Sequence, residues 1–275
     1  VAKYKPVLES KVTEATGRPF SVGDDLSLSL FPWAGVSFSD LRLGNPAGFS
    51  EKEFVTVKSF EVRVKLLPLL SKDVQIKRFV LNEPQIVLVK NKKGLENWVQ
   101  PKPAGKDAPE EKAPSTESVP GGLGIPISAL TAENIAINNG SALWIDHTTD
   151  TRKEITDIGL ILKDVSLNRP VKLTFSAQLD QKPLSLEGTV GPVGTGLKEG
   201  KIALDLSIKA LKQLVLRLKG NLENLITNPG VDMDIEVAEF SPRMLMSELG
   251  QEFPVATTDP EAISRLALKA HLKAD

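Results

Sequence analysis

Few residues in this chain could carry chemistry, and they do not converge. His147 and His271 are the only imidazoles. In "WIDHTTD", His147 follows Asp146 at the end of a strand-like run, while His271 sits in the polar phase of the last one. A Ser-His-Asp relay could be drawn on paper from Asp146 and His147, but no G-x-S-x-G elbow accompanies it, which leaves solvated surface histidines. "GPVGTGLK", Gly191 to Lys198, approaches a phosphate-cradling loop. It lacks the Gly-Lys-Ser/Thr ending, and strand rather than helix follows, so it reads as a turn between strands. "VDMDIE" sets Asp232, Asp234 and Glu236 on one face of a strand. Without the Gly turn and bidentate Glu of a calcium loop, that spacing reads as the polar side of an amphipathic strand. Cysteine is absent, which excludes disulfides, thiolate zinc sites and thiol nucleophiles. No catalytic residue, cofactor-binding residue or metal ligand is therefore assigned. The chain is expected not to be an enzyme and to need no cofactor.

The composition agrees with a chain that works by surface rather than by reaction. Its 275 residues are 41% hydrophobic and 25% charged, as in a soluble globular protein large enough for one or two domains. A formal charge of -1 argues against nucleic acid as a partner, because phosphate binding needs clustered Lys and Arg. Aromatic residues are only 5%, too few for stacking on sugars or bases, and the apolar content is mostly Leu, Val and Ile. No run of about 18 apolar residues could span a bilayer. The opening "VAKYKPVLES" is neither a signal peptide nor a Met start, and is read as a fragment whose upstream part is missing.

What must position any site is sheet. A short helix is predicted over Pro6 to Thr16, closed by Gly17. From Leu26 the apolar period becomes two and persists. Phe60, Val62 and Val64 alternate with Glu61, Arg63 and Lys65; "LLPLL" interrupts, and Val74 and Ile76 resume. Val55 and Val57 lie in the opposite phase, which predicts a bulge or twist near Ser59. Gly, Pro and Asn turns between short runs predict antiparallel pairing, since parallel strands would need helices between them. The expected fold is mainly β (α+β): a curved, twisted antiparallel sheet forming a groove, with an N-terminal helix and one or two short helices near the C-terminus. "SPRMLMSELG" from Ser241 is one such helix, with a Ser cap and Pro at its first position, and Asp259 could cap another.

Between residues 100 and 126 the texture becomes Pro, Ala, Lys and Glu, which reads as a flexible linker or loop. It separates a helix-plus-β segment at 1–99 from a continuing β segment at 127–275, as two domains or as one sheet crossed by a long loop. Across it, "FVLNEPQIVLVKN" (79–91) aligns without gaps on "IAINNGSALWIDH" (135–147). Each reads as a strand, a turn and a returning strand: an internal repeat that extends a sheet, or two generic hairpins.

Thr16-Gly17-Arg18-Pro19, Pro32, "LRLGNPAGF" (41–49), "LLPLL" (66–70), "GLENW" (94–98), "FSPRML" (240–245) and "TDPEA" (258–262) together resemble the AsmA family of bacterial envelope proteins. The resemblance implies a periplasmic protein tethered to the inner membrane by an N-terminal helix this sequence lacks, with a role in outer-membrane biogenesis. It also implies similarity to bridge-like lipid-transfer proteins, whose curved sheets form troughs for acyl chains. The sequence departs from full-length members in lacking their C-terminal half. Phospholipid or another acyl lipid would be the partner, with outer-membrane assembly proteins a further one.

The apolar face has two possible uses: packing on another protein layer, or lying against hydrocarbon. Burial of each methylene is worth about 0.8 kcal/mol, so moving a lipid through water costs on the order of tens of kcal/mol, and an aliphatic face would lower that without chemistry. Candidate lipid-lining residues are Phe60, Val62, Val64, Ile76, Val87, Val89, Leu143, Ile145, Leu160, Leu162, Leu173, Phe175, Leu204, Leu206, Leu216 and Leu218. The competing reading is a protein-interaction scaffold that assists assembly of outer-membrane proteins through exposed sheet edges.

Overall fold

A computed structural model describes residues 5–31, 33–70, 73–99, 131–194, 200–225, 228–254, 259 and 263–274. The fold is mainly β, with 61% of the described structure in strand, an N-terminal helix and few short helices. Two compact units, Val1–Ile155 and Thr156–Asp275, divide the chain. The linker at 100–126 and the turn of helix expected after Asp259 lie outside the described residues.

The first unit opens with helix α1 (Lys5–Thr16), which ends at Gly17 with φ +66. Strands β1 (Phe20–Ser21), β2 (Ser27–Ser29), β3 (Ala34–Gly44) and β4 (Glu53–Val64) follow, then the short helix α2 (Leu66–Leu70), β5 (Gln75–Lys90) and β6 (Thr131–Asp146). Their order in the sheet is β1-β3-β4-β5-β6, and β2 also pairs with β3. β7 (Thr151–Ser166) begins in this unit and ends in the next.

Here the expectation of purely antiparallel pairing fails, because β5 and β6 are parallel. A parallel neighbour needs a crossover of a dozen or more residues, and the connection 91–130 is long enough to supply one. The strands on either side of the linker thus share a sheet. The gapless repeat is the register of this ladder: Phe79 pairs with Ile135, Leu81 with Ile137 and Lys90 with Asp146. Neither half is a hairpin. Each is a single 16-residue strand, because the Glu-Pro and Asn-Gly positions kink the backbone without reversing it.

The kinks fall in one row. Asp40, Glu83 and Asn139 take φ of 50, 47 and 51, and they lie on either side of Lys58 of β4. A left-handed conformation costs a non-glycine residue roughly 1–2 kcal/mol, least for Asn and Asp, whose side chains bond locally. The adjoining row offsets part of that cost. Asn138 Nδ2 donates to Asn82 Oδ1 and Asn82 Nδ2 donates to Ser59 Oγ, both at 2.8 Å. Lys58 meets Glu83 at 2.5 Å. Across this row β4 exchanges one apolar phase, Val55 and Val57, for the other, Phe60, Val62 and Val64. That is the irregularity predicted near Ser59.

In the second unit β8 (Val171–Leu179), β9 (Lys182–Val190), β10 (Lys201–Ala210), β11 (Leu214–Glu223), β12 (Gly230–Phe240) and β13 (Leu266–Ala274) pair in chain order. All these ladders are antiparallel, as predicted. Helix α3 (Pro242–Glu248) starts where expected, with the Ser241 side chain accepting from the Met244 amide. The carboxylates of "VDMDIE" pair with the neighbouring strand: Asp234 lies 2.9 Å and Asp232 3.5 Å from the His271 ring, and Glu236 lies 3.3 Å from Lys269.

Gly188 and Gly220 set how closely these strands approach. A Cβ on Gly188 (φ +153) would stand 2.0 Å from the Asp205 carbonyl oxygen, and one on Gly220 would stand 2.1 Å from that of Asp232. Both obstacles are backbone of an adjoining strand, which cannot swing aside. Gly220→Ala should therefore destabilise the second unit by roughly 1–3 kcal/mol through overpacking. Thermal unfolding checks this; a midpoint equal to that of the unmodified chain contradicts the close approach.

Candidate functional site

Residues directly opposite each other in a ladder share a face, so the register assembles faces from sequence positions. In the second unit one face reads, row by row, Val171–Val190–Leu204–Gly220–Met233–Leu272, then Leu173–Gly188–Leu206–Leu218–Ile235–Ala270, then Phe175–Leu186–Ile208–Leu216–Val237–Leu268. No charged residue interrupts these rows. The opposite face is a charge ladder: Asp205, Lys219, Asp234 and His271 in one row, Glu187, Ser207, Arg217, Glu236 and Lys269 in the next.

Among the described residues no second layer of this unit seals the apolar rows. Of its described apolar side chains only Ala177, Ile202 and Met233 are buried. Leu173, Phe175, Leu204, Leu206, Leu216 and Leu218 are half-buried. Leu268 remains 52% exposed. The described helix α3 lies by the β10–β11 turn, where Glu248 accepts from the Lys212 amide and Gln213 from the Ser241 amide, rather than along the face. Five strand spacings of about 4.8 Å make the face roughly 24 Å across, more than the roughly 15 Å depth of one bilayer leaflet's hydrocarbon.

In the first unit Val62 pairs with Phe79 and Phe60 with Leu81, and these rows continue to Ile135 and Ile137. Val64 pairs with Ile76 beyond a register shift. The rings of Phe38, Phe60 and Phe79 stack in sequence, with centroids 4.8 and 5.3 Å apart. Val87 with Leu143 and Val89 with Ile145 form rows beyond the kink. Val89 is fully buried by protein, so it offers no open surface. Leu160 and Leu162, half-buried, lie on β7. The candidates thus fall into several groups: rows on either side of the kink, the β7 pair, and the broad face of the second unit.

Sequence reasoning missed what buries Val89. β4 stops pairing with β5 at Ile86, leaving the last turns of β5 without a strand on that side. Asn97 replaces the strand. Its amide donates to the Val89 carbonyl at 2.9 Å, its Oδ1 accepts from the Val89 amide at 2.8 Å, and its Nδ2 donates to Val87 O and Asn45 Oδ1 at 2.7 and 2.8 Å. Arg18 Nη2 donates to the Asn97 carbonyl at 2.6 Å, and its guanidinium lies 4.4 Å from the centre of the Phe54 ring. Burial lowers the Arg18 pKa from its ordinary value. Arg18, Asn45 and Asn97 come from "TGRP", "LGNP" and "LENW", three of the motifs behind the family resemblance. The stretches join as one clamp on a sheet edge, and no spacing rule links them.

Among the described residues no group of His, Cys, Asp or Glu could hold a metal ion. The described helices include none long and apolar enough to cross a membrane.

The geometry defines a class: an open β protein with an amphipathic sheet whose apolar rows are left uncovered by the described residues of their unit. The AsmA family pattern matches residues 1–205, and the chain belongs to the AsmA family. It is also similar to AsmA family protein YhjG of Escherichia coli (strain K12), 29% identical over 108 residues. That stretch covers 35% of this chain and 16% of the relative.

Replacing Asn97 with Leu removes both amide-group partners and leaves the Val89 N–H and Val87 carbonyl unpaired in a buried place. The expected loss is about 2–4 kcal/mol. Hydrogen exchange gives the local readout: the Val89 amide should lose protection by at least tenfold, and unchanged protection would show that Asn97 does not hold this edge.

Proposed function

We propose that this chain is the non-enzymatic periplasmic part of an inner-membrane-anchored AsmA family protein, which binds or conducts phospholipid along its apolar β face in outer-membrane biogenesis. The observation that carries the reading is the set of aliphatic rows across β8 to β13 without a covering layer among the described residues of their unit. Contiguous exposed apolar patches on a monomer are a sign of binding surfaces, which supports the reading. Its chemistry suits hydrocarbon. Leucine and valine supply area with little directional preference, which flexible acyl chains match better than rigid aromatic ligands do. The charge ladder on the reverse keeps the other side in water. Membership of an envelope-associated family agrees with a periplasmic setting.

One observation favours a second reading, an assembly scaffold for outer-membrane proteins. β13 pairs with β12 on one side, ends the strand order, and is exposed throughout. Such an edge can accept a strand from a partner.

Native mass spectrometry of the chain purified without detergent separates the two. Bound phospholipid is expected, and Leu206→Asp with Leu218→Asp should reduce its occupancy at least tenfold. Those residues are half-exposed, so circular dichroism should show the sheet intact. A lipid-free chain that instead retains an outer-membrane protein through β13 would replace the groove with the scaffold.

A further inference from the structure

The three most exposed large apolar side chains among the described residues belong to one end of the first unit. Phe31 is 88% exposed, Leu67 81% and Leu30 74%. Ala34 pairs with Val64 at the end of the β3–β4 ladder, so the chain segments carrying Leu30 and Phe31, and Leu67, leave the sheet at the same place. Trp33 sits beside them with Lys77 Nζ 5.7 Å from its ring centre. This pattern of protruding tips differs from the broad rows of the second unit.

The same end carries four cations, Arg63, Arg78, Lys65 and Lys77, against the carboxylates of Glu61, Glu133 and Asp73. Arg63 and Arg78 are paired directly across β4 and β5, about half exposed, and share one carboxylate. Glu61 takes the Nε of each guanidinium, at 2.5 and 3.2 Å. Their Nη groups make no further bond among the described residues. Lys65 and Lys77 likewise share Glu133, whose carboxyl they hold below its usual pKa by hydrogen bonding, Lys65 first. Asp73 is the other acid near this end, hydrogen-bonded by Gln75. A cavity of about 300 Å³ lies here, with Phe31, Trp33, Arg63, Glu61 and the serines Ser27, Ser29 and Ser37 in its lining. None of the three serine hydroxyls is engaged by protein among the described residues.

We propose that this end of the β3–β4–β5 ladder docks on an anionic bilayer, with Leu30, Phe31 and Leu67 entering the headgroup region and Arg63 and Arg78 contacting lipid phosphate. Apolar tips with an indole beside them, ringed by Lys and Arg, match the interfacial zone, where aromatic rings and basic side chains partition together. Basic residues near an anionic surface are attracted to it, and salt screens that attraction. A guanidinium that has lent only its Nε to protein keeps its outward fork for a phosphate oxygen pair. The proposal stands apart from hydrocarbon binding on β8 to β13.

Vesicle flotation of the full chain tests it, with vesicles of phosphatidylglycerol and phosphatidylcholine compared with phosphatidylcholine alone. The chain should float with the anionic vesicles and at least tenfold less with the neutral ones, and high salt should release it. Phe31→Ser with Leu67→Ser should lower the bound fraction at least tenfold, and Arg63→Gln with Arg78→Gln should abolish the preference for anionic lipid. The Leu206→Asp, Leu218→Asp chain should still float, which separates this edge from the groove. Flotation unaffected by either pair of changes at this edge would overturn the proposal. So would full competition by soluble glycerol phosphate, which would make the cavity a small-anion site. A dimer that Phe31→Ser dissociates would assign the tips to a second copy.

Discussion

Backbone hydrogen bonding along the ladders is the interaction on which this molecule depends. A strand inside a sheet satisfies its N–H and C=O groups through its neighbours, whatever lies above or below it. That frees the second unit from the usual need for a second layer to complete its polar accounting. The buried apolar side chains among its described residues are few: Ala177, Ile202 and Met233. Leu206 and Leu218 face each other across the ladder. Their packing contributes cross-strand terms of about 0.2–1 kcal/mol per pair, less than a fully enclosed leucine would give. Water contact along those rows is a cost the fold carries, and an occupant of the face would remove it.

The departures from ideal strand geometry follow from the same constraint. Regular alternation fixes each apolar residue to one face, so a change of phase requires a break in the backbone pattern. Asp40, Glu83 and Asn139 supply it in adjacent strands at one level. Because the break is shared, the ladders on both sides of it keep their pairing. Gly188 and Gly220 answer a different need, which is close passage of neighbouring backbone where any side chain would strike a carbonyl.

Alternation made most of the strands legible. Phe60–Val62–Val64, Leu204–Leu206–Ile208 and Leu214–Leu216–Leu218 were readable because period two is a local property. The Ser241 cap and Gly17 terminus were local as well. The parallel pairing of β5 with β6 was not legible, because pairing direction depends on where a long connection delivers the chain. The gapless alignment of 79–91 on 135–147 held that information, but a kinked strand and a hairpin use the same Asn, Glu-Pro and Asn-Gly vocabulary. The parallel ladder of β5 with β6, which continues on both sides of Glu83 and Asn139, tells them apart. Val89 belonged to an alternating run like any other; its enclosure depends on Asn97, which a strand pattern does not flag.

The motifs that point to the family do not point to its work, and the clamp explains why. Arg18, Asn45 and Asn97 each satisfy a particular partner at a particular distance, and little else would fit. Substitution there leaves buried donors or acceptors unmatched, so construction of the sheet edge demands fixed residue types. A surface for hydrocarbon makes no such demand. Leu, Ile, Val and Phe can exchange along the rows of β8 to β13 so long as no charge enters and the area persists. A reader searching for a constellation of fixed side chains is therefore drawn to the scaffold. The face that carries the proposed function is written instead in period and phase, and it becomes visible only once the register lines up one strand's leucines with the next.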